Sequence, residues 1–225
     1  MKAILMDVEG TTTSIDFVQQ KLFPFAAQAL PGFLRAKAQE PQVQGILQQL
    51  QQGQGQLSLE EAIALLLRWI EEDKKEPSLK ALQGLIWEQG YQQGQLQGHV
   101  YPEVPGEWQR WKAQGLRLGI YSSGSVLAQK LIFGHSCWGD LTPYLEFHFD
   151  TQVGKKQEMQ SYQTIAHKLG LPAQEILFLS DLPNELAAAQ SAGMLITELR
   201  RDGQPGQADF PLAKDFIAVS RWWGL

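Results

Sequence analysis

The chain is poor in the residues that build cross-linked or metal-stapled folds. Of its 225 residues only Cys137 is a cysteine, which excludes an internal disulfide framework and a cysteine-rich zinc site. Its four histidines, His99, His135, His148 and His167, are scattered rather than paired at ligand spacing, so zinc is not expected. Basic charge is in deficit, with 19 Lys and Arg against 24 Asp and Glu and a net charge of −5. A general nucleic-acid binder would carry a basic face instead. No apolar run reaches the roughly 18 residues that a membrane-spanning helix requires. The hydrophobic start Met1–Met6 is cut by Asp7 and Glu9, too early for a secretory signal. No Gly-x-Gly-x-x-Gly or Walker loop occurs, so nucleotide binding has no support. Ser122-Ser123-Gly124-Ser125 does not make the Gly-x-Ser-x-Gly elbow of a serine hydrolase. These absences lead to the expectation of a soluble, cytoplasmic protein with no nucleic-acid or membrane partner, and nothing demands more than a monomer.

What is present is enough apolar material for a sizeable core, 44% hydrophobic residues against 19% charged ones. Ala3-Ile4-Leu5-Met6 is a continuous apolar run that stops at Asp7-Val8-Glu9-Gly10-Thr11-Thr12-Thr13, the pattern of a buried strand in a parallel sheet. Leu116–Tyr121 stops in the same way at Ser122–Ser125, Glu146–Phe149 at Asp150-Thr151, and Ile176–Leu179 at Ser180-Asp181. Met194–Thr197 is a weaker fifth strand. Helical spacing falls between them, over about Glu103–Gln114, over Met159–Leu169, and over Leu186–Ala192 after Pro183. Strand–helix alternation predicts an α/β fold with a doubly wound parallel sheet.

The segment from about Asp16 to Gln97 breaks that alternation. It shows no convincing strand, and its clearest helix opens with the capping box Ser58-Leu59-Glu60-Glu61, followed by an apolar face of Ala62, Leu65, Leu66, Trp69 and Ile70. The glutamine-rich stretch Gln42–Gln56, with Gly53 and Gly55, reads as a helix end and a polar loop. The whole segment reads as a small all-helical domain, a cap of residues 16–97 inserted after the first strand of a core formed by residues 1–15 and 98–225.

Ligands of open parallel sheets bind beyond the carboxyl ends of the strands, and polar clusters stand at those ends in order: Asp7 with Glu9, Ser122 with Ser123, Lys155 with Lys156, and Asp181 with Glu185. Asp7 and Asp181 would repel unless a cation lay between them, and a hard oxygen set with few other donors suits Mg²⁺. At i and i+2 past a strand end, Asp7 and Glu9 face one side and can flank one reacting atom. One carboxyl could attack while the other moves the proton. Ser122, Ser123 and the amides around Gly124 open a helix, where an anion is favoured, and a lysine supplies charge for a phosphoryl group. Each cluster alone is as well explained by a turn, a helix cap or a solvated charge pair. Glu185 alone fits an acidic residue in a first helical turn. The ordered set is what carries the reading.

That set resembles the haloacid dehalogenase superfamily of phosphohydrolases. The matching pieces are Met6–Thr11, Tyr121–Ser125, Gly154-Lys155-Lys156 and Leu179–Glu185. Glu9 stands where the superfamily motif usually has Asp. This, with Tyr121–Val126 and Gln129-Lys130-Leu131-Ile132-Phe133-Gly134-His135-Ser136, is similar to the enolase-phosphatase branch of methionine salvage. The resemblance implies Asp7 as nucleophile and Glu9 as acid and base, with the Glu9 carbonyl also on the metal. It implies Asp7, Glu9 and Asp181 around Mg²⁺, Ser122 and Ser123 on the phosphoryl oxygens, and Lys156 rather than Lys155 as the charged partner. It further implies that Glu185 orients Lys156 or a metal-bound water. The implied substrate is a small phosphorylated diketone, 2,3-diketo-5-methylthiopentyl-1-phosphate, enolised and then dephosphorylated to an acireductone. The alternatives are a superfamily phosphatase for a sugar phosphate or phosphoglycolate and, outside enzymes, a receiver-like module phosphorylated on Asp7. Elsewhere, Cys137 reads as a buried thiol, Trp222-Trp223 as packing on the sheet, and Arg200-Arg201 as solvated.

Overall fold

The computed structural model describes residues 1–201, 203, 205–206 and 210–225. By their internal contacts these form two compact units, Met1–Ile15 with Gly98–Leu225, and Asp16–Gln97.

The first unit is built on six parallel strands: β1 (Ala3–Met6), β2 (Arg117–Tyr121), β3 (Phe147–Phe149), β4 (Ile176–Ser180), β5 (Leu195–Leu199) and β6 (Leu212–Ala213). Their order is β3-β2-β1-β4-β5-β6. The chain winds outward from β1 in both directions, so the switch point lies at the carboxyl end of β1, flanked by β2 and β4. β1 is apolar without interruption because both its faces are covered, and Ala3, Ile4, Leu5 and Met6 are all fully buried. Ala3 and Leu5 join Tyr162, Ile165, Leu186 and Ala189 in one core cluster. These come from the helices Met159–Leu169 and Pro183–Ser191. Met6 points the other way and its sulfur accepts the Trp108 indole N–H at 3.1 Å. Trp108 and Trp111 belong to helix Val104–Ala113; Trp108 packs at a tilt on Phe133, with 5.3 Å between ring centres, and Trp111 stacks on Phe216 at 5.1 Å.

The second unit is all helical. A short turn, Ile15–Phe17, and a π-helical turn, Val18–Leu22, lead into helices Phe23–Lys37, Pro41–Gln54, Leu59–Glu71 and Pro77–Gln92. The Ser58–Glu61 capping box is complete: Ser58 Oγ accepts from the Glu61 amide, and Glu61 Oε2 accepts from the Ser58 amide at 2.8 Å. Behind it Ala62, Ile63, Leu66 and Trp69 are buried. Trp87 donates its indole N–H to Leu22 O at 2.9 Å, tying the last helix to the start of the unit.

Four expectations need correction. Gln42–Gln56 is not a helix end and loop; Pro41 opens a helix that runs to Gln54, because Gln propagates helices well and Val43 and Leu50, seven apart, bury one stripe. Cys137 is exposed. The Trp222-Trp223 pair is split, with Trp222 62% exposed and Trp223 bonded to Thr197 Oγ1 of β5 at 2.8 Å. Arg201 is not in solvent: its guanidinium lies 3.9 Å from the centre of the Tyr101 ring, bonds Glu103, and donates to Thr11 O. β6 is an element the patterning missed, being only two residues long. No helix among the described residues is long and apolar enough to cross a membrane.

Candidate active site

Strand register assembles the site. Met6 lies opposite Ile120 of β2 and Leu179 of β4, and the Asp7 amide still donates to Leu179 O at 2.9 Å. Asp7 is one residue past that level, and Ser122 and Asp181 are each two past it, so three chain segments remote in sequence meet at one rim. Asp7 is 4% exposed. Its Oδ1 accepts from the Val8 amide at 2.7 Å and from Lys156 Nζ at 2.6 Å, which fixes the plane of the carboxyl group.

Beyond Asp7 the chain folds back tightly. Val8 O accepts from the amides of Thr12 and Thr13 at 3.0 and 2.9 Å, Gly10 N–H donates to Thr13 O at 2.8 Å, and Thr12 Oγ1 donates to Asp7 O at 3.1 Å. The turn requires φ +69° at position 10, and a Cβ there would stand 2.3 Å from Asp181 Oδ2. Glycine is therefore demanded both by the backbone and by the carboxylate packed against it. Glu9 is half-buried.

Lys156 is the cation of the cluster. It is 3% exposed, and its Nζ lies 2.6 Å from Asp7 Oδ1 and 2.6 Å from Glu185 Oε2. Burial alone would lower its pKa, but Asp7 and Glu185 outweigh burial and raise it, so the ammonium is kept charged. Its backbone is anchored by the Tyr162 hydroxyl, which donates to Lys156 O at 2.7 Å. Lys155, the neighbouring candidate, points outward with its side chain 79% exposed, 3.8 Å from Glu158. Glu185 is 2% exposed and also accepts from Ser180 Oγ at 3.0 Å. Burial, then the Asp7 charge, pushes its carboxyl up. Asp181 is raised to about 7 for the same two reasons in the same order. Ser122 is buried, its amide donating to Phe149 O at 3.2 Å and its hydroxyl accepting from Gly124 N–H at 3.1 Å. Ser123 is half-buried, and Ser125 caps the helix Val126–Gly134 by accepting from the Ala128 amide at 3.2 Å.

Residues 1–193 match the family model described as haloacid dehalogenase-like hydrolase. Over 205 residues, 90% of each chain, the sequence is 54% identical to a Pseudomonas syringae pv. tomato protein named Enolase-phosphatase E1. A Serratia proteamaculans protein of the same name is 49% identical over 221 residues, covering 97% of this chain and 96% of that one. Among solved structures, the UTR4 protein of Saccharomyces cerevisiae superposes with a TM-score of 0.82 at 36% identity, over 96% of this chain and 98% of that one. This chain belongs to the haloacid dehalogenase-like hydrolases.

Within this hydrolase, three buried or half-buried carboxylates, Asp7, Asp181 and Glu185, face one ammonium. Asp181 Oδ1 is buried with no hydrogen-bond partner, and an orphaned carboxylate oxygen beside a second acid is a place where a cation would be welcome. Among the described residues no three His, Cys, Asp or Glu side chains form a metal cage of their own. The oxygen donors present, Asp181 with its unpartnered Oδ1 and Asp7, fit Mg²⁺, which takes one or two carboxylates and fills its remaining positions with carbonyl, water and phosphate oxygens. Two features of the hydrolase site escaped the patterning. One is the Arg201 contact with Thr11 O, 190 positions away in sequence. The other is the hold on the Lys156 backbone by Tyr162, visible in sequence only as a residue of a helical stripe.

Proposed function

We propose that this hydrolase enolises 2,3-diketo-5-methylthiopentyl-1-phosphate and then removes its phosphate to give an acireductone, the reaction of enolase-phosphatases in methionine salvage. The observation that carries the reading is Lys156 Nζ bonded at 2.6 Å to Asp7 with Asp181 on the adjoining strand end, inside a chain about half identical to relatives named Enolase-phosphatase E1. Glu9, in place of the Asp usual in the superfamily, favours this branch.

In this reading the Asp7 carboxylate attacks phosphorus, a new P–O bond forming as the ester P–O bond breaks. Glu9 gives its proton to the departing oxygen and later takes one from the water that hydrolyses the aspartyl-phosphate. Lys156 offsets charge on the transferring group, and Ser122 and Ser123 hold its oxygens. Glu185, bonded to Lys156, keeps that ammonium aimed at Asp7. Asp7, Asp181 and the Glu9 carbonyl would hold Mg²⁺, which when bound supplies positive charge for the phosphoryl group and polarises a carbonyl for enolisation. Residues 16–97 act as the cap, and the enzyme works as a cytoplasmic monomer on a small phosphorylated substrate, without nucleic acid or membrane.

The test is to mix the diketo phosphate, Mg²⁺ and enzyme, and to follow enol ultraviolet absorbance together with phosphate release. Enol absorbance that rises with turnover is expected. Equal or better kcat/KM on a sugar phosphate or phosphoglycolate, with no enol signal from the diketo phosphate, would replace this reading with the broader phosphatase.

A further inference from the structure

Gln129 lies in the helix that opens after the Ser122–Ser125 loop and is 1% exposed. A buried primary amide is costly unless its donors and acceptor are matched, and here all are. Its Nε2 donates to Gly124 O at 3.1 Å and to Phe149 O at 2.8 Å. With both amide hydrogens committed to carbonyls, Oε1 is the atom that faces His148 Nδ1 at 3.1 Å, so Nδ1 must carry a hydrogen. Burial, then the charge of Lys130, holds His148 down to about 4, which leaves a neutral imidazole with one defined donor.

These bonds converge on the loop. Phe149 O, gripped by Gln129, is also the acceptor for the Ser122 amide. Gly124 is tied at both ends, its N–H to Ser122 Oγ at 3.1 Å and its carbonyl to Gln129. Because the peptide group is planar and trans, a Gly124 carbonyl drawn toward Gln129 turns the Ser125 N–H the opposite way. A carbonyl oxygen left free to rotate would present partial negative charge to any anion in the loop, where N–H groups are wanted.

We propose that Gln129, backed by His148, is a positioning residue for the phosphoryl-binding loop: it holds the Gly124 carbonyl away from the anion and sets where the Ser122 hydroxyl stands. This rests on the reading of Ser122–Ser125 as the loop that takes the phosphoryl group. Gln129 touches neither substrate nor metal, and its effect passes through the loop.

The experiment uses the Mg²⁺-loaded enzyme with inorganic phosphate as competitive inhibitor, at temperatures where each variant is folded. Gln129→Met fills the same space without donors. It should raise the phosphate Ki about tenfold, the factor attached to one good hydrogen bond, and leave the Mg²⁺ activation constant unchanged. His148→Phe, which lets the amide turn over, should raise Ki by a smaller factor, about threefold. A purely structural role would lower Tm and leave Ki where it is; that result in folded Gln129→Met overturns the proposal. Should Gln129→Met not fold, an unchanged Ki in His148→Phe overturns it equally. Ser122→Ala separates the premises. If it leaves phosphate inhibition intact, the loop reading fails and this inference with it. If it weakens inhibition while Gln129→Met does not, only the role of Gln129 falls.

Discussion

Lys156 answers two buried carboxylates directly and stands beside a third, and that imbalance governs what single substitutions do. In Asp7→Asn the shape and the Val8 contact survive but the proposed nucleophile does not, so on that proposal turnover should fall by at least about a thousandfold while the fold stays intact. Asp7 is also the second cause, after burial, of the raised carboxyls of Asp181 and Glu185. Both should therefore move back toward ordinary acid values in the variant, a shift that carboxyl-resolved NMR titration would read. An unchanged Asp181 titration would show that the two acids do not feel each other. Lys156→Met makes the opposite error. It leaves Asp7 and Glu185 buried without their counter-charge, which should cost about 3–5 kcal/mol in urea unfolding. Lys155 cannot compensate, since its side chain is 79% exposed. Adding Glu185→Gln to that variant should recover part of the loss, because the two residues share one ion pair and their effects should not add.

At the level of elements, strands were readable where both faces are covered. Ala3–Met6 and Ile176–Leu179 are unbroken apolar runs because helices lie on each side, and the polar residues that end them point to Asp7 and Asp181 as neighbours from sequence alone. β6 and the edge of β5 were not readable: two residues make no pattern, and Glu198 is fully buried in a strand because Arg200 pairs with it at 2.7 Å. The helix Pro41–Gln54 was obscured because glutamine marks a helix only through weak propensity, while its two buried residues sit a full seven apart. The resemblance favours Lys156 over Lys155, but what sets the two side chains apart is the anchoring of their backbone carbonyls by Ser161 and Tyr162, contacts set by how the next helix docks. Gln129 and Arg201 lay beyond reach because Phe149 and His148 for the first, and Thr11, Tyr101 and Glu103 for the second, are brought near only by the fold. The capping box, by contrast, is local chemistry and was fully legible. Ser58→Ala removes the acceptor for the Glu61 amide and should destabilise the helix Leu59–Glu71 by about 1 kcal/mol. Hydrogen exchange of the amides in its first turn would locate that loss, and unchanged exchange there would show that the cap contributes nothing.

For the whole molecule the same buried acids should couple stability to pH and, if they hold a divalent cation as proposed, to that cation. Asp181 rises from an ordinary 3.8 to about 7 in the fold, and Glu185 is also raised. An acid whose folded pKa lies above its unfolded value binds protons more tightly in the folded state. Between those two values the folded protein holds a proton that the unfolded chain has lost, so stability falls as pH rises through the window. For Asp181 that window runs from about 4 to about 7, and the metal-free enzyme gives up stability across it. A cation held by Asp7 and Asp181 competes with the same protons, so it should bind weakly at pH 5 and well at pH 8. Because ligand bound only to the folded state stabilises by RT ln(1 + [L]/Kd), saturation at one hundred times Kd is worth about 2.7 kcal/mol. The difference in Tm between Mg²⁺-loaded and chelator-treated enzyme should therefore be near zero at pH 5 and should grow to several degrees by pH 8. Taking that difference cancels every acid that titrates alike in both forms. Asp181→Asn removes both the raised acid and one ligand, so it should flatten the curve at all pH values. A Mg²⁺ effect on Tm that is the same at pH 5 and pH 8, or that survives in Asp181→Asn, would mean that the ion binds elsewhere on the protein.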